Sequence, residues 1–289
     1  MKFDLDYTAS SLPKVVTTYE GIVHNFSSGC LRCYFYLDTV LGRSQAHLFH
    51  DDTLLSLVVR GRRKTYVYNV ENIDQDRVSF FQQTGPVFSL QSLPWLPKER
   101  KFIEIAYDLD VVFSPTSYPN AKKRHQRITY PITWLQKNNI QISPLLPKHM
   151  QDVKKLHDAW VQNRLKQPTT YKIMFPTGRY MHCCKLALEN QYNDLRGFVF
   201  TQNEIILAVR IIAIQYNNAF DLAFFGNIWD TPSQLTNYCD ILSLKLLQNE
   251  KIHFFNCGNE LNKRLRVFKQ HLPSFNVISY IYAKNEQGE

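Results

Sequence analysis

The sequence predicts an α/β protein of the α+β kind, with mixed, largely antiparallel sheets flanked by helices and arranged as two lobes. Three observations predict it. The 289 residues exceed one usual α/β core and suit two. Before residue 115 the apolar segments are β-branched and aromatic and are separated by turn residues. After residue 141 the pattern runs helix, helix, three strands, helix, strand, helix, strand. A hydrophobic content of 44%, with 19 Phe and 16 Tyr, supplies the apolar area a folded core needs and excludes a disordered chain.

In the first lobe, 1–117, the stretches 54–59, 64–70 and 102–113 carry the strand-forming residues. A basic stretch over 118–140 leads to the second lobe, 141–289. That lobe opens with a helix over 148–166, because Met150, Val153, Leu156 and Trp160 recur at helical spacing. A second helix follows Gly178. Strands 197–200, 204–214 and 219–225 are then separated by Gln202-Asn203 and Asn217-Asn218. Asn tolerates the left-handed backbone of a tight hairpin, so an antiparallel meander is expected. Thr231 can cap the next helix, with Pro232 in its first turn and Gln234 completing a capping box. Leu235, Tyr238, Leu242 and Leu246 form its apolar stripe. A short strand over 252–255, a helix over 259–272 and a last strand over 277–283 complete the order, with Pro273 ending the helix.

Apolar runs are short, and the one over 205–214 is interrupted by Arg210, so no membrane-spanning segment is expected. Acids at positions 4 and 6 are unlike a secretory leader, and the six cysteines lack the spacing of a disulfide scaffold. Both point to the cytoplasm. Lys and Arg number 34 against 25 acids, and the excess of +9 favours polyanionic partners.

Two stretches narrow the reading. Asn256-Cys257-Gly258-Asn259-Glu260 runs into Leu265-Arg266-Val267-Phe268-Lys269, and Pro273 follows. Asn120-Ala121-Lys122-Lys123-Arg124-His125-Gln126-Arg127 precedes an aromatic-rich segment, then Trp160 and Arg164. Together these resemble the C-terminal domain of the phosphatidylglycerol lysyltransferases, with its Leu-Arg-x-Phe-Lys helix, basic connecting helix and Trp-x-x-x-Arg helix. The resemblance makes 118–140 a basic connecting helix and implies a tandem pair of lobes of the acyl-transferase type known as GNAT, as in the related peptidoglycan aminoacyl transferases. It implies an acyl- or aminoacyl-transferase whose donor is an aminoacyl-tRNA.

On a helix over 259–272, Asn262, Arg266 and Lys269 share one face. Its N-terminus, after Asn256 and Gly258, offers free backbone N–H groups to an anion. Asn256, Gly258, Asn262, Arg266 and Lys269 are therefore the candidate donor-binding residues; the plainer alternative is a solvated amphipathic helix. A GNAT enzyme using acetyl-CoA carries a glycine-rich turn after its meander. Here the turn 226–232 has one glycine, and Pro232 removes an amide donor, so acyl-CoA is the less expected donor and no cofactor is expected to bind tightly.

Acyl transfer to an amine or hydroxyl needs a proton acceptor and oxyanion donors. Asp221 or His253 can supply the first, and Tyr280 or Asn256 can orient the acceptor or face the oxyanion. All four residues suit ordinary framework roles as well. Arg62, Arg63 and Lys64 form one basic cluster, and Lys122, Lys123, Arg124 and Arg127 another; both suit contacts with phosphates of tRNA or DNA. DNA as the acceptor, and a binding protein without catalysis, are the alternatives these clusters leave open. Cys30 and Cys33 with His47 and His50 miss the familiar zinc spacing, and no metal site is assigned.

Overall fold

The computed structural model describes residues 3–7, 45–51, 54–60, 65–69, 87–89, 98–166, 177–189, 195–215, 218–226, 235–259 and 269–282. The chain divides by contact into two compact units. One comprises 1–105, 258–266 and 276–289, the other 106–257 and 267–275. In this partition the C-terminal strand groups with the first unit, where Tyr280 pairs with Ser89.

In the first unit, β1 (Phe3–Tyr7), β2 (Gln45–Asp51), β3 (Leu54–Arg60) and β4 (Thr65–Asn69) are joined antiparallel in that order. β5 (Val87–Ser89) adds in parallel to β4, and β12 (Phe275–Tyr282) adds antiparallel to β5. Cys30, Cys33, Arg62, Arg63 and Lys64 lie outside the described residues.

Residues 102–113 do not form one strand. β6 (Lys98–Asp108) ends where the Asp108 carboxylate accepts hydrogen bonds from the backbone N–H groups of Asp110 (3.0 Å) and Val111 (3.2 Å), which starts helix α1 (Leu109–Phe113). The cap satisfies two of the orphan donors of the first turn, an effect that apolar patterning does not register.

The second unit contains the expected helix, helix, three strands, helix and strand, while the helix expected over 259–272 lies mostly outside the described residues. After α1 come α2 (Ala121–Arg124), a π turn (His125–Thr129) and α3 (Tyr130–Lys137). β7 (Ile140–Pro144), α4 (Met150–Leu165) and α5 (Thr177–Glu189) follow. The meander consists of β8 (Leu195–Gln202), β9 (Ile205–Gln215) and β10 (Asn218–Gly226), and then come α6 (Leu235–Asn249) and β11 (Phe254–Asn259). The spatial order is β11-β10-β9-β8-β7, with β6 beside β11. β7–β8, β8–β9 and β9–β10 pair antiparallel, and β10 and β11 pair parallel. The β8–β9 turn centres on Asn203 (φ 49°) and Glu204 (φ 68°), one residue later than expected. Two left-handed residues match the twist of a hairpin.

Alternating side chains send the sheet's two faces into separate cores. On one face Phe225 packs against His157, Trp160 and Tyr180 of α4 and α5. On the other, Phe200, Leu207 and Ala208 meet Leu235, Tyr238 and Cys239 of α6 and Leu135 of α3. The buried line of α6 continues through Ile241, Leu244 and Leu247, whereas Leu242 and Leu246 are half-buried. Among the described residues no helix is long and apolar enough to cross a membrane.

Candidate functional site

β10 and β11 pair over only three positions, Asn218↔Phe254, Ala219↔Phe255 and Phe220↔Asn256. β10 then continues to Gly226 with no partner on that side among the described residues. The strands fork, and the fork opens toward their C-terminal ends, where open α/β sheets place ligands. Asp221 and Cys257 are the first residues past the last pair.

The polar groups at the fork are brought together by a bulge. Asp221 opposes Ile212, but Ala223 opposes Ile211, so one extra residue sits in β10. Ile212 and Arg210 face the same side of β9, and Phe224 opposes Arg210. Both Asp221 and Phe224 therefore share the face on which Arg210 stands.

Arg210 is 3% exposed. Its Nη2 donates to Oδ1 of Asp240 on α6, and its Nε lies 3.5 Å from Oδ1 of Asp221. The guanidinium carbon sits 4.6 Å from the Phe224 ring centre and 5.5 Å from that of Phe255. Burial alone would favour loss of its proton, but the two aspartates outweigh burial and raise its pKa, so Arg210 stays charged. The Asp221 side chain is 21% exposed. Desolvation raises its pKa; Arg210 opposes this, Asp240 adds to it, and Lys269 opposes it.

Below the fork, the Tyr107 hydroxyl on β6 donates to the Lys269 carbonyl at 2.5 Å, and the Lys269 ammonium donates to the Cys257 carbonyl. The Tyr107 ring stacks 6.4 Å from Phe255. Burial pushes the Cys257 thiol up to about 12 although Lys269 and the Tyr107 hydrogen bond pull it down. A protonated thiol is a weak nucleophile.

The structure brings Asp221, Asn256 and Lys269 to this region and separates His253 from it. His253 is four residues upstream of Cys257, about 13 Å along an extended strand. Its side chain is 51% exposed and its Nδ1 lies 3.5 Å from Oδ2 of Asp110. Asn256 is buried in the last parallel pair. Gly258 has φ 77°, a backbone that only glycine adopts freely, and it falls within β11, which runs past the expected end at 255. Tyr280 lies on β12 in the first unit. Asn262 and Arg266 lie outside the described residues, as does the turn after Gly226. A Cβ on Gly226 would come within 2.7 Å of the Leu207 carbonyl, so close strand packing itself demands this glycine.

Two clefts flank these elements. One of about 410 Å³ lies beside the end of β10, lined by Trp160, Asn163, Glu204, Ile206 and Gly226 among others. The other, about 530 Å³, is lined by Tyr118, Asn120, Arg124, His125 and Thr129, with Lys122, Lys123 and Arg127 on the same helical segment. Asn120 caps that segment by accepting from Lys123 N–H at 2.8 Å. Sequence reasoning missed Arg210, Asp240, Tyr107 and Cys257. The available signals were a charge inside the apolar run 205–214 and an acid beside Cys239 and Ile241.

No protein-family model matches the sequence, and neither does any curated protein. Solved structures do match. The L-PGS structure from Bacillus licheniformis is 13% identical, covering 95% of this chain and 93% of that one, with a TM-score of 0.59. The C-terminal domain of a provisionally assigned lysylphosphatidylglycerol synthetase from Agrobacterium fabrum is 12% identical, covering 94% and 92%, with a TM-score of 0.60. The fold is GNAT-like. A conserved protein of unknown function from Bacteroides thetaiotaomicron VPI-5482 is 15% identical, covering 99% of this chain and 100% of that one, with a TM-score of 0.67. Identities this low make the likeness one of fold, and the GNAT-like scaffold leaves the chemistry to be argued from side chains.

Proposed function

We propose that the protein is an acyl- or aminoacyl-transferase that works at the fork between β10 and β11. The observation that carries this reading is the placement of Asp221, partly open and supported by a buried guanidinium, at the first position beyond the last parallel pair.

In the reaction, the nitrogen or oxygen of the acceptor attacks the carbonyl carbon of an ester donor. Asp221 takes the acceptor's proton as the new bond forms. The carbonyl double bond re-forms, the ester C–O bond breaks, and the departing alkoxide takes the proton that Asp221 had accepted. Strand separation leaves backbone groups of β10 facing the gap, where an N–H can meet the negative charge developing on the carbonyl oxygen. Lys269 supplies positive charge for the donor. The raised thiol pKa at Cys257 favours direct transfer over an acyl-enzyme.

The finer reading makes the donor an aminoacyl-tRNA. It draws on the Leu265-Arg266-Val267-Phe268-Lys269 resemblance and on the cleft at Arg124, beside which Lys122, Lys123 and Arg127 make the helical segment basic and suited to a polyphosphate backbone. The same cleft favours a second reading, a nucleic-acid-binding protein that retains the fold without the reaction.

The test offers mixed radiolabelled aminoacyl-tRNAs and acetyl-CoA in parallel, with small amine and hydroxyl acceptors, and follows product by mass spectrometry. Transfer from the tRNA ester, lost in Lys269→Ala, is expected. Transfer only from acetyl-CoA would overturn the donor assignment, and binding without transfer from either donor would favour the second reading.

A further inference from the structure

Arg210 serves two carboxylates on different elements, Asp240 on α6 through a direct hydrogen bond and Asp221 on β10 at 3.5 Å from Nε. The pairing is unequal: Asp240 holds the closer position and Asp221 the looser one. The Phe224 and Phe255 rings line the guanidinium, 4.6 and 5.5 Å from its carbon. Among the described residues, the Arg210 Nε and Nη1 find no hydrogen-bond acceptor. A donor is thus held near Asp221 without being fully given to it.

We propose that Asp240 is a positioning residue that keeps Arg210 from fully neutralising Asp221, and so leaves Asp221 able to exchange a proton during transfer. This rests on the reading of Asp221 as the base. The physical reason is competition: one buried positive charge is divided between two negative ones, and the carboxylate with the poorer share binds a proton more readily. Among the described residues, the charged and titratable groups around Asp221 include Arg210 from β9, Asp240 from α6, Cys257 from β11 and Lys269. Tyr107 of β6 couples to Cys257, Asp240 and Arg210. Of these, Asp240 is the one whose charge both raises the Asp221 pKa directly and occupies the arginine.

The sign follows. Neutralising Asp240 removes a repelling charge and leaves the Arg210 charge uncontested, so Asp221 must lose its proton at lower pH. The experiment is a carboxyl carbon NMR titration of the full chain labelled at aspartate, with the Asp221 signal assigned by its loss in Asp221→Asn. In Asp240→Asn, whose amide oxygen still accepts from Arg210, the Asp221 midpoint should fall by about one pH unit or more, roughly the effect of one nearby charge. Asp240→Ser is the second neutral variant should the amide disturb folding, with the same direction expected. Asp240→Glu, which keeps the charge, should leave the midpoint higher than either. An unmoved or raised midpoint in a folded neutral variant overturns the proposal. The readout involves no turnover, so a midpoint that falls as expected while Asp221→Asn retains transferase activity would uphold the coupling and sink only the reading of Asp221 as the base.

Discussion

Asp221 and Phe224 stand three residues apart on one strand and yet flank the same guanidinium. Regular alternation would send them to opposite faces; the extra residue between Asp221 and Ala223 puts both on the side of Arg210. The bulge thereby builds a charged cluster and its aromatic wall from one short segment. Phe224→Leu retains an apolar filler but removes the π face, and should lower stability by about 1–2 kcal/mol in urea denaturation.

Arg210→Met should be more severe. It leaves the Asp240 and Asp221 carboxylates together without their guanidinium, and breaking a buried ion pair from one side costs about 3–5 kcal/mol. Adding Asp240→Asn should recover part of that loss, because it removes one of the stranded charges. Urea denaturation of the single and double variants checks this, and strictly additive losses would show that the two residues are not coupled.

The visible features of this cluster in the sequence were few. Meander, helices and strand order follow from apolar spacing, because burial against two faces of a sheet imposes periods that a sequence displays. Arg210 was also visible, as a charge within an apolar strand, but its meaning depends on Asp221 and Asp240, which lie on two other elements. No spacing rule links positions 210, 221 and 240. His253 illustrates the converse: nearness in sequence to Asn256 hid the length of an extended strand, and the fork lies at the other end of β11. The break at Asp108 went unseen because a capping carboxylate, rather than a change in hydropathy, ends β6.

Stability should depend on pH through Asp221. Its folded pKa is raised, so the folded protein holds this proton more tightly than the unfolded chain does. The associated stabilisation is complete below the ordinary carboxyl value, about 3.9, and is lost as pH rises from there through the raised value. Asp221→Asn removes that dependence. Denaturation midpoints of wild type minus variant should therefore decline as pH rises across that window and then level off.

Gly226→Ala and Gly197→Ala test the close packing around the meander. The added Cβ would stand 2.7 Å from the Leu207 carbonyl in the first case and 2.8 Å from Leu145 Cβ in the second. Each should cost about 1–3 kcal/mol, measured by thermal or urea unfolding. The Gly226 loss should be the larger, because its nearest obstacle is backbone.

Asp108→Ala removes the acceptor for two first-turn N–H groups of α1 and should cost about 1 kcal/mol. Asp108→Asn keeps an acceptor oxygen and should restore most of it. The comparison separates capping from charge.

The account stands most directly on the rate of acyl transfer from aminoacyl-tRNA to an amine or hydroxyl acceptor, compared between wild type and Asp221→Asn at matched folded concentration. Loss of a general base predicts a fall of about 10²–10⁴-fold in the variant, with tRNA binding retained. Equal rates in a folded variant would contradict the assignment of the fork as the site of proton transfer.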